Sequence, residues 1–145
     1  FLMNPTMQKF GYPATLVQEL DHWCVLLRAQ QVTLGSLVLV CKEDAEAFSS
    51  ISKEAFAELS VATRQIEASL GAFRPYDKIN YLMLMMVDPN VHFHVIPRYA
   101  TSQEFAGVEF ADLGWSAVPD LSSAVSADDD LKMKLIAALK ADWTA

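Results

Sequence analysis

The chain has 145 residues, 52% of them apolar, and a formal net charge of −7, so one domain with a sizeable core is expected over residues 1–145. The acidic balance argues against long nucleic acids, which need a basic face, but leaves room for a small nucleotide that needs only a few local donors. The longest apolar run, 81–87, is far short of the ~20 residues that cross a bilayer, and the first twenty residues lack the basic start and cleavage site of a secretory signal; no membrane association and a cytoplasmic location are expected.

Residues 23–28, WCVLLR, and 36–42, SLVLVCK, are short apolar runs that suit buried strands, and the brief AQQVTL between them predicts a hairpin. Trp23, Cys24 and Cys41 are expected in the core, and two cysteines are too few for a disulfide framework or a four-cysteine zinc site. His22 is expected at the surface. Residues 44–51 suit a short helix. Ser52 is a plausible N-cap for a longer one, whose Phe56, Leu59, Ala62, Ile66, Leu70 and Phe73 recur at three- and four-residue steps. Gly71 supplies a stop, followed by Pro75. KINYLMLMM, 78–86, reads as a strand, with its apolar run buried or facing a second copy. Asp88-Pro89 breaks it before NVHFHVIPRY, 90–99. Residues beyond 100 read mostly as loop. A last helix is expected from near Ser126, with Asp128 to Asp130 in its first turn and an apolar stripe of Leu131, Leu135 and Leu139. Strands in neighbouring pairs with helices between them favour an α+β domain built on an antiparallel sheet.

Two of the three histidines lie in 90–99. Alternation along a strand puts Val91, Phe93 and Val95 on one face and Asn90, His92, His94 and Ile96 on the other. Three readings fit two imidazoles and an amide on one face. They are solvated or internally satisfied polar groups, or a metal-binding pair, or a catalytic pair in which one histidine attacks and the other donates hydrogen bonds.

The segment resembles the signature of the histidine triad (HIT) superfamily, His-Φ-His-Φ-His-Φ-Φ with Φ apolar, which often continues into Pro-Arg as Pro97-Arg98 does here. LGSLVLVCK, 34–42, resembles that family's glycine-led strand, and 77–98 is similar to a bacterial branch with a short connection before the signature. The resemblance covers roughly 20–100, leaving 101–145 as a C-terminal extension. It implies a five-stranded antiparallel sheet with two main helices plus a helical tail, and a homodimer. It also implies a nucleotide partner and hydrolysis or transfer at its α-phosphate, on a phosphoramidate, adenylate or dinucleoside polyphosphate, with no cofactor. By position, His92 is the implied nucleophile and His94 the implied contact to the same phosphate. Asn90 takes the first triad position as an orienting residue, where the related branch carries Gln. Asn80, Ser36 and Arg98 are the implied substrate-binding residues.

Beside Asn90, three further departures accompany the match. Ser36 replaces a histidine, Arg28 lies about where many members hold the ribose hydroxyls with an acidic residue, and Met86 falls where the short branch usually has Asn. A nucleotide-binding protein without turnover is therefore the alternative. A cupin-like metal site built on His92 and His94 lacks the glutamate and later histidine it would need.

Overall fold

The computed structural model describes residues 3–145; Phe1 and Leu2, the first two residues of the expected domain, lie outside the described residues. In chain order the elements are α1 (Pro5–Lys9), β1 (Leu16–Glu19), β2 (Trp23–Leu27), β3 (Gln30–Gln31), β4 (Leu37–Cys41), α2 (Lys53–Phe73), β5 (Lys78–Leu82), β6 (His92–Arg98), β7 (Gln103–Phe105), β8 (Val108–Phe110), β9 (Val125–Ser126) and α3 (Asp129–Ala141). The main sheet has five strands in the order β1-β2-β4-β6-β5, every neighbouring pair antiparallel. The fold is the expected α+β class.

The central strands β2 and β4 are buried at every position. Helices cover both of their faces, which is why they read as continuous apolar runs. One face carries Val25, Leu27, Leu37, Leu39 and Val95 into a core shared with Ala62, Ile66 and Leu70 of α2 and Leu131, Leu135 and Leu139 of α3. The C-terminal extension therefore closes the main core rather than trailing from it. The opposite face packs Cys24, Leu26, Val38 and Val40 against Met7 of α1. Trp23 is buried as expected, its Nε1–H donating to the Ala55 carbonyl at 2.8 Å. Both cysteines are buried free thiols.

Ser52 caps α2 by accepting from Ala55 N at 3.0 Å. Gly71 does not stop this helix. A side chain there would meet nothing within 4 Å, and the helix runs on to Phe73. It ends where Arg74 turns extended (φ −156°, ψ 114°), as the residue before a proline tends to. Phe56 is not on the buried face; it is 41% exposed and packs on Phe48. The helix expected over 44–51 is only the 3₁₀ turn Phe48–Ser50. The last helix starts later than expected, capped by Asp128, which accepts from Leu131 N at 2.8 Å. The strand expected over 78–86 ends at Leu82. Residues 83–87 leave the sheet, with Met85 at φ 50° and Met86 88% exposed, so this run is not a buried strand. Beyond residue 100 the chain is mostly loop up to α3, as expected, interrupted by a short hairpin (β7-β8) and the β3-β9 pairing. No helix among the described residues is long and apolar enough to cross a membrane.

Candidate active site

The site begins with the register of β6 on β4. Val40 pairs with His92 and Val38 with His94, so both imidazoles stand on the α1 face of the sheet. They are not solvated surface groups, being only 1% and 7% exposed. Their rings lie edge to face with centroids 5.1 Å apart, and Phe10, just after α1, packs on both at 5.7 and 5.6 Å. Phe10 closes one side of a cavity of about 560 Å³ that both histidines line. Arg28 lines it as well, Met85, Met86 and Val87 form an apolar rim, and Lys9 and Lys132 bring two further positive charges.

His92 has a defined orientation. Its Nδ1 lies 2.7 Å from the Asn90 carbonyl oxygen. A carbonyl can only accept, so Nδ1 carries a proton, and in the neutral imidazole Nε2 then keeps its lone pair. Among the described residues no group hydrogen-bonds to Nε2. The neighbouring His94 Nδ1 sits 3.2 Å from Arg28 Nε. Burial, then the nearby Arg28 charge and His92, push the His94 pKa down to about 4, against a smaller upward pull from Asp88.

The Asn90 side chain hydrogen-bonds not to the imidazoles but to Thr6 and Asp44. Its Oδ1 accepts from Thr6 Oγ1 at 3.0 Å and Thr6 N at 3.3 Å, and its Nδ2 donates to Asp44 at 3.2 Å. Asn4, the cap of α1, adds a bond to the Cys41 carbonyl at 2.9 Å. Asn90 thus fastens α1, and with it Phe10, to the strand that carries the histidines, while its carbonyl aims His92.

The other expected residues lie elsewhere. Ser36 is buried in a turn, its hydroxyl donating to the Thr33 carbonyl at 2.8 Å and accepting from Thr33 N at 3.1 Å. Arg98 is four residues beyond His94, roughly 13 Å along a strand. It forms a two-pronged pair with Asp112 at 2.7 and 2.9 Å and donates to Asn80 Oδ1 at 2.8 Å. None of Ser36, Asn80 and Arg98 lines the cavity. Among the described residues no three His, Cys, Asp or Glu side chains converge as a metal would require. His22 is half-buried beside Glu43 at 3.4 Å, remote from the cavity lining.

Sequence reasoning missed Lys9, Phe10 and Lys132. For α1 the signal was present: Asn4-Pro5 is a capping residue followed by proline at the first helical position. Lys132 carried no signal of its own, because only the packing of α3 brings it to the cavity.

The sequence model of the HIT domain matches residues 9–101. The chain belongs to the HIT family. No sequence among the curated proteins matches it. Among solved structures, a histidine triad protein from Bradyrhizobium japonicum superposes with TM-score 0.70 at 17% identity, covering 99% of this chain and 98% of that one. One from Sinorhizobium meliloti gives 0.70 at 18%, covering 98% and 96%. A third, from Marinobacter aquaeolei, gives 0.69 at 18%, covering 99% and 96%. The likeness spans the C-terminal segment that lies beyond the matched domain, so α3 is part of the shared fold.

Proposed function

We propose that this HIT protein is a nucleotidyl hydrolase or transferase that acts on the α-phosphate of a nucleotide conjugate, a phosphoramidate, adenylate or dinucleoside polyphosphate. The observation that carries the reading is the Asn90 carbonyl on His92 Nδ1, which leaves the Nε2 lone pair for the cavity. In this mechanism Nε2 attacks phosphorus, an N–P bond forms, and the bond from phosphorus to the leaving group breaks, its electron pair staying on the leaving atom, which takes a proton from solvent. Water then attacks the same phosphorus and the N–P bond breaks. The water's proton passes to solvent and His92 recovers its lone pair. Two easier displacements replace one difficult one. His94 contacts the phosphoryl oxygens, where fixed donors in a partly closed site stabilise developing charge. Asn90 acts by position and transfers no proton.

The mixed lining suits a nucleotide, with the rim of Met85, Met86 and Val87 against the base and Arg28, Lys9 and Lys132 toward phosphates. The proposal extends to a homodimer in the cytoplasm. A second reading, a nucleotide binder without turnover, draws on Met86. It stands at the rim where a phosphate donor would serve catalysis, and a thioether donates no hydrogen bond.

The test is turnover of adenosine phosphoramidate and of a diadenosine polyphosphate by the native chain and by His92→Ala. The native chain should turn over at least one, and the variant should lose about a thousand-fold or more. Retained turnover in the folded variant would sink the nucleophile assignment. Nucleotide binding by the native chain without turnover would select the second reading.

A further inference from the structure

Arg28 follows β2 and points across the sheet to His94. Its Nε lies 3.2 Å from His94 Nδ1, and its Nη1 donates to the Gln30 carbonyl at 2.7 Å. The second bond stops the guanidinium from swinging away. Arginine offers only donors, and it stays protonated near neutral pH even where burial lowers its pKa, as it does here. Nδ1 of His94 must therefore accept. A neutral imidazole that accepts at one nitrogen carries its proton on the other. For His94 that is Nε2, which makes no hydrogen bond among the described residues. Its neighbour His92 is held the opposite way, by an acceptor.

We propose that Arg28 is a positioning residue that fixes His94 as the neutral Nε2–H tautomer, so that β6 presents two imidazoles of opposite polarity to one cavity, a lone pair from His92 and an N–H from His94. Resting on the proposed nucleotidyl chemistry, this assigns the donor to the phosphoryl oxygens and explains how one strand supplies both nucleophile and electrophilic support.

The charged groups around His94 agree with this assignment. Arg28 faces it from the segment after β2 and His92 from β6, and Asp88 approaches from the loop before β6. Lys9 at the end of α1 and Lys132 of α3 line the same cavity. Lys9 lies 3.7 Å from Asp88 and Lys132 3.2 Å from Asp129. Asp88 is thus paired with Lys9, and the charge in hydrogen-bond contact with His94 is the arginine.

The tautomer is read directly by long-range ¹H–¹⁵N spectra of the ¹⁵N-labelled full chain between pH 3.5 and 8, with His94→Gln to assign the signals. The expected native spectrum has an unprotonated Nδ1 and a protonated Nε2 on His94 down to about pH 4. Arg28→Met should raise the His94 midpoint by about one pH unit or more and mix the two tautomers. Burial is the larger cause and remains, so the midpoint should stay below 6.5. Arg28→Lys, which keeps a charge and a donor, should hold the midpoint below that of Arg28→Met. A proton on Nδ1 in the native chain would overturn the proposal, as would a His94 midpoint that ignores Arg28→Met. If that variant does not fold, the native spectrum and Arg28→Lys decide. None of these spectra requires turnover, so an inactive native chain would sink the nucleotidyl chemistry without deciding the role of Arg28.

Discussion

The two ends of β6 make an informative comparison. Both carry buried polar side chains on the α1 side of the sheet, His92 and His94 at one end and Arg98, 3% exposed, at the other. At the Arg98 end every nitrogen of the guanidinium is engaged, by Asp112, by Asn80 and by the Ala117 carbonyl at 2.9 Å. At the histidine end each ring has one nitrogen bound to the protein and one left toward the cavity. Equal burial thus conceals opposite chemistry. One end ties the loop of residues 112–117 to the sheet, and the other keeps unspent hydrogen-bonding capacity. The polar group whose valences are incompletely satisfied inside the protein is the one positioned to act on something else.

If the Arg98 end is structural, Asp112→Ala should be the most damaging change to stability. It strands a buried guanidinium and should cost about 3–5 kcal/mol, measured by urea unfolding, while turnover of the folded fraction stays near native. A large loss of turnover with stability unchanged would move Arg98 into the site. Asn90→Leu should come next. It leaves Thr6 and Asp44 without their partner and should cost about 2–3 kcal/mol, with a raised KM because Phe10 is no longer held against the histidines. Asn90→Gln keeps the amide and should leave kcat/KM within about tenfold, a barrier change under ~1.4 kcal/mol. If Leu performs as well as Asn in both assays, the tether to α1 is idle.

The smallest expected effect is a pH slope. Burial and then the Arg28 charge hold the His94 pKa down at about 4, below the ordinary imidazole value of about 6.5. Above that value both states are neutral and its contribution is intact. As pH falls from 6.5 toward 4 the unfolded chain takes up the proton first, so stability declines over this window. The unfolding free energy of the native chain should therefore drop more between pH 7 and 4.5 than that of His94→Gln. Parallel slopes would mean that His94 is not held neutral.

Much of the scaffold was legible in the sequence because its signals were local. Ser52 announced α2, the apolar runs at 23–28 and 36–42 announced β2 and β4, and alternation put His92 and His94 on one face. The errors share a physical origin. Gly71 reads as a stop, yet at a helix position with open space around it glycine costs only about 1 kcal/mol. The Met-rich run of 83–86 reads as strand because apolar residues commonly line a core, and here they line a cavity rim. Arg98 sits beside the histidines in sequence, and the ~3.3 Å rise of a strand carries it out of their reach. Arg28 gave no positive signal, because its partner is sixty-six residues away and only the sheet brings the two together.

The most direct test of the account is mass spectrometry on the protein quenched at alkaline pH, which spares an acid-labile N–P bond, during incubation with adenosine phosphoramidate. The expected result is an adduct of one nucleoside monophosphate on the peptide containing residues 90–99, located on His92 and absent from His92→Ala. An adduct on any other residue, or one that survives in His92→Ala, would contradict it.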